Sequence, residues 1–149
     1  MKIAFKTIGI LMLSALTITS CSKYDNGGTK ARAEKNIKKS WKIESYYLDD
    51  VDNTSELLIS NFVETFNDDG SYTRTFIDAS GDPESQVGTW SLDDDKSLIN
   101  VSGTGSYELT NQTSTVSTSD YTILKLKKDE MWYKFSNGGS THEFHLVPN

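Results

Sequence analysis

From Ser40 onward, apolar and aromatic side chains recur at every second position, in short runs separated by turn-forming clusters. Trp41, Ile43, Ser45 and Tyr47 alternate with Lys42, Glu44 and Tyr46. The same alternation carries Phe62, Glu64 and Phe66, then Tyr72, Arg74 and Phe76, then Gly88, Trp90 and Leu92, and finally Met131, Tyr133 and Phe135. Successive side chains of a strand point to opposite faces, so this spacing builds half-buried strands and cannot build a helical body. About eight to nine such runs at short spacing predict an antiparallel sandwich or barrel. Open sheet edges invite pairing with other chains, and closure removes them. The expected fold is therefore all-β, an antiparallel up-and-down barrel of about eight strands, whose lumen holds side chains or one small ligand.

Turn chemistry places the runs. Asn67-Asp68-Asp69-Gly70 joins Phe62–Phe66 to Ser71–Ile77 as a hairpin. Ser80-Gly81-Asp82-Pro83 is the next turn, and the strand carrying Trp90 ends at Asp93-Asp94-Asp95-Lys96. Short strands follow at Leu98–Val101 and Ser106–Thr110, then a polar loop over 111–119, then strands at Tyr121–Leu126, around Tyr133, and at His142–Val147. Ahead of the sheet, Lys30 to Lys39 has helix-forming content, with Ala33 and Ile37 four apart on one face. Residues 22–29, with Gly27-Gly28, read as a flexible tether.

The first residues have a different logic. Lys2 and Lys6 precede an apolar stretch from Ile8 to Ile18, the layout of an export signal. The stretch is about half the roughly 20 residues a spanning helix needs. Ile18-Thr19-Ser20-Cys21 follows. These residues resemble the lipobox of bacterial lipoproteins, in which the cysteine thiol is lipidated, the signal is then removed before the cysteine, and the new amino terminus is usually acylated too. The resemblance implies a signal over 1–20, a lipidated tether over 21–29, a barrel domain over 30–149, and membrane lipid attached through Cys21. Cys21 is the only cysteine, so no disulfide framework is available to an exported chain. Two or three acyl chains anchor a protein essentially permanently, at about 0.8 kcal/mol per buried methylene. The implied location is the cell envelope of a Gram-negative bacterium. Ser22 in the place after the cysteine points to the outer membrane, on its periplasmic face or at the cell surface. Without residues 1–20 the chain keeps 13 basic residues against 21 acidic ones, a net charge of −8. Such a chain repels phosphate backbones, which argues against nucleic acid as a partner.

A set of ordered motifs carries a second resemblance. Ser40-Trp41-Lys42-Ile43 comes first, then Thr65-Phe66-Asn67-Asp68-Asp69-Gly70-Ser71-Tyr72, then Gly88-Thr89-Trp90-Ser91-Leu92, then Ile123-Leu124-Lys125-Leu126-Lys127-Lys128-Asp129-Glu130-Met131. Over about residues 37–147 this is similar to the lipocalin-like domain of small bacterial lipoproteins. The resemblance implies a closed or nearly closed up-and-down barrel and names no ligand. Lipocalins proper carry Gly-x-Trp, where this chain has Lys39-Ser40-Trp41.

The candidate ligand-binding residues are Trp41, Tyr72, Arg74, Trp90 and Phe135. The tryptophans line a pocket or pack the barrel floor and wall. Trp132 alternates with Met131 and Tyr133 and is expected to face outward. Arg74 shares a strand face with Tyr72 and Phe76. If that face is inward, its charge needs a partner, either the acidic head of a ligand or Glu64 of the neighbouring strand; if outward, it is solvated. His142 and His145 stand three apart on a strand, hence on opposite faces, so no metal site is expected from them. The acidic clusters lack EF-hand spacing, and no nucleophile elbow or phosphate loop is present. No cofactor is implied. The leading expectation is an anchored, non-enzymatic module that binds a small hydrophobic or amphipathic ligand. The alternative is a filled barrel that acts through its surface or loops, as an inhibitor or an assembly accessory.

Overall fold

The computed structural model describes residues 28–111 and 120–149. One helix, α1 (Lys30–Ile37), precedes β1 (Ser40–Leu48), β2 (Val51–Asp52), a short 3-10 turn (Thr54–Glu56), β3 (Ser60–Phe66), β4 (Ser71–Ile77), β5 (Pro83–Leu92), β6 (Leu98–Ser102), β7 (Tyr121–Leu126), β8 (Met131–Asn137) and β9 (Ser140–Pro148). Every pairing is antiparallel, sequential neighbours pair from β3 to β9, and β1 pairs with both β3 and β9. That last pairing closes an eight-stranded up-and-down barrel. The two-residue β2 merely extends the end of β1, beyond the stretch that β3 covers.

Local chemistry accounts for the elements. Asn67 N–H donates to Ser71 C=O at 2.9 Å, and Gly70 takes φ 82°, a left-handed value suited to glycine. The turn sets the register Phe66↔Tyr72 and Glu64↔Arg74. Pro83 opens β5, a position that does not require its missing donor. At Gly88 a Cβ would stand 2.1 Å from the Ser102 carbonyl oxygen, so β5 and β6 close on each other only over a glycine. The Thr29 hydroxyl caps α1, accepting from Arg32 N–H at 3.3 Å. Ala33 and Ile37 bury the helix against the barrel, and Trp41 Nε1–H donates to Ile37 C=O at 2.9 Å. The helix is thus the stopper of the barrel's base, the end that carries the β3–β4, β5–β6 and β7–β8 turns.

Three expectations need correction. Alternation alone puts Tyr47 on the same face as Trp41. A bulge between Ile43 and Ser45 inserts a residue, so Tyr46 turns inward instead and is fully buried. Ser106–Thr110 is not a strand. It belongs to a strap over residues 103–111 that crosses the barrel mouth, held where Leu58 N–H donates to Leu109 C=O at 2.8 Å. Tyr107 and Leu109 face the core from this strap. Their apolar burial competes successfully with strand pairing for the segment. The helix ends at Ile37, two residues short of Lys39. The export signal, Cys21 and most of the tether lie outside the described residues, as does most of the 111–119 loop.

Candidate functional site

The centre of the barrel holds a charged pair. Glu64 and Arg74 face each other across β3 and β4, with side chains 0% and 1% exposed. Arg74 Nε and Nη2 donate to one Glu64 oxygen at 3.3 and 3.1 Å. Tyr72 O–H donates to that same oxygen, and Tyr133 O–H donates to the other at 2.8 Å. Arg74 also donates to Tyr121 Oη through Nη2, and to Gln86 Oε1 through Nη1 at 3.2 Å. Gln86 in turn donates from Nε2 to the Ser106 carbonyl of the strap at 3.2 Å. The rings of Tyr121 and Tyr133 stack at 4.3 Å, and the Tyr107 ring lies 4.4 Å from the guanidinium carbon.

This is a saturated arrangement. A carboxylate in low dielectric needs a counter-charge and donors on both oxygens, and both are present. Burial, followed by the Glu64 charge, pushes the Tyr72 and Tyr133 hydroxyls well above the ordinary phenol range. Burial pushes Tyr107 up to about 12. At neutral pH these hydroxyls are donors, not bases. Both side chains of the pair are sealed from solvent, and the network cross-links five strands, β3, β4, β5, β7 and β8.

The five predicted residues fall at three levels. Trp41, under 1% exposed, packs the base against α1. Trp90 sits nearby, donating from Nε1 to Asn67 C=O at 3.0 Å and meeting Phe66 edge-on. Tyr72 and Arg74 form the middle, and their inward face is the condition under which Arg74 was expected to need a partner; that partner is Glu64. Phe135 lies toward the mouth, stacked on His142 at 5.0 Å. Tyr46, Tyr107, Tyr121, Tyr133 and Gln86, none of them singled out by sequence, complete the interior. The signal available for Tyr121 and Tyr133 was their inward phase on strong strands. Trp132 faces out as expected, its ring stacked on His145 at 3.9 Å with Lys125 Nζ 4.0 Å above it. The two histidines separate as the strand period requires, His142 inside and His145 outside.

His142 is a titratable member of the interior. Its Nδ1 lies 2.9 Å from Tyr46 Oη, and burial lowers its pKa from the ordinary 6.5. The unfolded chain therefore takes up this proton first as pH falls. The contribution to stability is whole above about pH 6.5, is lost as pH drops toward the folded value, and levels off below it. Urea midpoints at about pH 7.5 and about pH 5 are expected to differ in that direction, and His142→Asn is expected to flatten the difference. An unchanged slope in the variant would assign the effect to other groups.

Outside the lumen, a groove of about 300 Å³ runs at the mouth between the β4–β5 turn and the strap, lined among others by Phe76, Glu84, Tyr107 and Glu108. Among the described residues no three metal-ligating side chains converge, and no helix is long and apolar enough to cross a membrane.

No protein-family model matches the chain, and no curated protein matches it. Among solved structures, the chain is similar to a lipocalin-like protein from Bacteroides uniformis, with 12% identity and a TM-score of 0.50 over 76% of this chain and 99% of that one. It is also similar to an uncharacterized protein from Bacteroides eggerthii, with 16% identity and a TM-score of 0.42 over 73% and 98% of the two chains. The first similarity establishes the fold, a closed lipocalin-like barrel with one short helix. Such a barrel is able to hold a ligand wherever its interior leaves room.

Proposed function

We propose that the protein is a lipid-anchored barrel of the cell envelope that acts on a protein or surface partner through its mouth and outer wall, with its lumen given over to structure. One observation carries this reading: the lumen centre is occupied by the Glu64–Arg74 pair with Tyr72, Tyr121 and Tyr133, each of them hydrogen-bonded to the pair. A ligand carboxylate entering there must displace one that is already fully satisfied. Anchorage through Cys21 rests on the lipobox-like segment Ile18-Thr19-Ser20-Cys21.

A second reading, a small amphipathic ligand taken at the mouth, is favoured by Tyr107. Its hydroxyl is buried without a hydrogen-bond partner among the described residues, while its ring covers Arg74. An unmade buried hydrogen bond costs about 1–3 kcal/mol, which a ligand displacing the strap recovers. Native mass spectrometry of the mature protein, extracted in detergent from its own host, separates the two. The filled-barrel reading expects a chain beginning at an acylated Cys21 and carrying no further mass. A stoichiometric small molecule would overturn it in favour of the mouth site, and an unacylated cysteine would remove the anchor.

A further inference from the structure

The charges of α1 are sorted by face. Lys30 and Lys38, on one flank, pair with Asp94 at 2.6 Å and Asp68 at 3.6 Å. On the other flank Arg32, Lys35 and Lys39 converge with Lys128 of the β7–β8 turn around a groove of about 450 Å³. Asn36 completes its lining, and no carboxylate takes part. The cations repel there: burial and then the Lys128 charge lower the Lys39 pKa, against a smaller opposing pull from Asp129. Lys39 is held at the edge of the groove by donating to the Lys128 carbonyl, with its Nζ 5.0 Å from the Trp41 ring. Lys127 stands in the adjoining groove with Gly28, Arg32 and Lys128; Asp129 is the acid of that groove. Four cations against the single nearby acid Asp129 make a positive flank, unexpected in a chain of net charge −6.

Its position is the second observation. Lys96 Nζ donates to the Gly28 carbonyl, which places the first described residue at the base of the barrel, beside this flank. Seven peptide steps separate Gly28 from Cys21, and a chain spans at most about 3.6 Å per step. An anchor at Cys21 therefore keeps the flank within about 25 Å of a bilayer surface.

We infer that the flank formed by Arg32, Lys35, Asn36, Lys39 and Lys128 is a membrane footprint that seats the base of the barrel on the phosphate headgroups of an anionic leaflet. The inference rests on the anchored reading above. Ammonium and guanidinium groups near an anionic surface are drawn to it within a Debye length, about 8 Å at physiological salt. The acidic remainder of the chain is repelled, so the barrel stands on its base with its mouth directed away from the lipid.

The test uses the mature lipoprotein reconstituted into vesicles of phosphatidylcholine alone, or with about a third phosphatidylglycerol. A water-soluble amine-acylating reagent is applied, and modification is read lysine by lysine. Lys35 and Lys128 are expected to react about fivefold more slowly on the anionic vesicles, with the difference removed by high salt. Lys42 and Lys134, exposed on the barrel wall, serve as references and are expected to react alike on both. Arg32→Glu together with Asn36→Glu leaves both reporter lysines in place and is expected to abolish their protection. Equal reactivity of Lys35 and Lys128 on the two vesicle types, or protection unaffected by the two glutamates, would overturn the footprint. A protein that fails to float with either vesicle type would instead mark the failure of the anchor.

Discussion

Arg74→Met is expected to lower the unfolding free energy by about 3–5 kcal/mol, the range for removing one partner of a buried ion pair. The loss comes less from the attraction than from what remains. Glu64 keeps the hydroxyls of Tyr72 and Tyr133 but loses its counter-charge, while Tyr121 Oη and Gln86 Oε1 lose the donor that Arg74 supplied. Tyr107 also loses the cation beneath its ring. Methionine matches the length of the arginine stem, so little of the cost is a cavity. Urea unfolding followed by tryptophan fluorescence reads the change as a lower midpoint at constant slope. Adding Glu64→Leu to Arg74→Met is expected to recover part of the loss, since an apolar pair avoids the stranded charge. It recovers only part because Tyr72 and Tyr133 then lack an acceptor. A loss below about 1 kcal/mol for the single variant would mean that water reaches the pair and that the lumen is not sealed.

The second large effect is expected at the base. Trp41→Ala removes a fully buried indole and leaves a cavity between β1 and α1, at a cost of about 3–5 kcal/mol. The same change deletes the Nε1–H bond to Ile37 C=O, the buried side-chain hydrogen bond from barrel to stopper. The helix is eight residues long, too short to persist in water without packing. Its amides are therefore expected to exchange before those of β8 and β9 in the variant, and together with them in the parent. Trp41→Phe keeps most of the packing and is expected to cost about 1–2 kcal/mol for the lost hydrogen bond and the smaller ring. If Trp41→Ala left the helix amides as protected as before, Ala33 and Ile37, with the Lys30–Asp94 and Lys38–Asp68 pairs, would be enough to hold the stopper.

Much of the architecture was legible because its causes are local. Asn67-Asp68-Asp69-Gly70 favours one tight connection, and that turn length alone brings Glu64 opposite Arg74. The pairing of these two side chains was accordingly available as one alternative before any tertiary contact was known. Ala33 and Ile37, four apart, marked the buried face of α1. The outward face of Trp132 followed from its place between Met131 and Tyr133.

Other features had no such local cause. The bulge at Glu44 exchanges Tyr46 for Tyr47 in the interior, and another between Ile123 and Lys125 brings Leu126 inward. Nothing in either run announces the extra residue. The strap carries a strand-like pattern because Tyr107 and Leu109 alternate with polar residues whether they pair in a ladder or drop into a mouth.

Side-chain alternation, turn propensity and helix-forming content depend on neighbours a few residues away, and by themselves they determined the hydrogen-bonded strands from β3 to β9, their antiparallel order and the helix ahead of them, but not the strap. Whether the lumen stands open or full was decided only in three dimensions. Arg74 meets Tyr121 from 47 residues away and Glu64 meets Tyr133 from 69. The free energy of a buried charge depends on which donors the closed sheet delivers to it from such distances, and no short stretch of sequence carries that information.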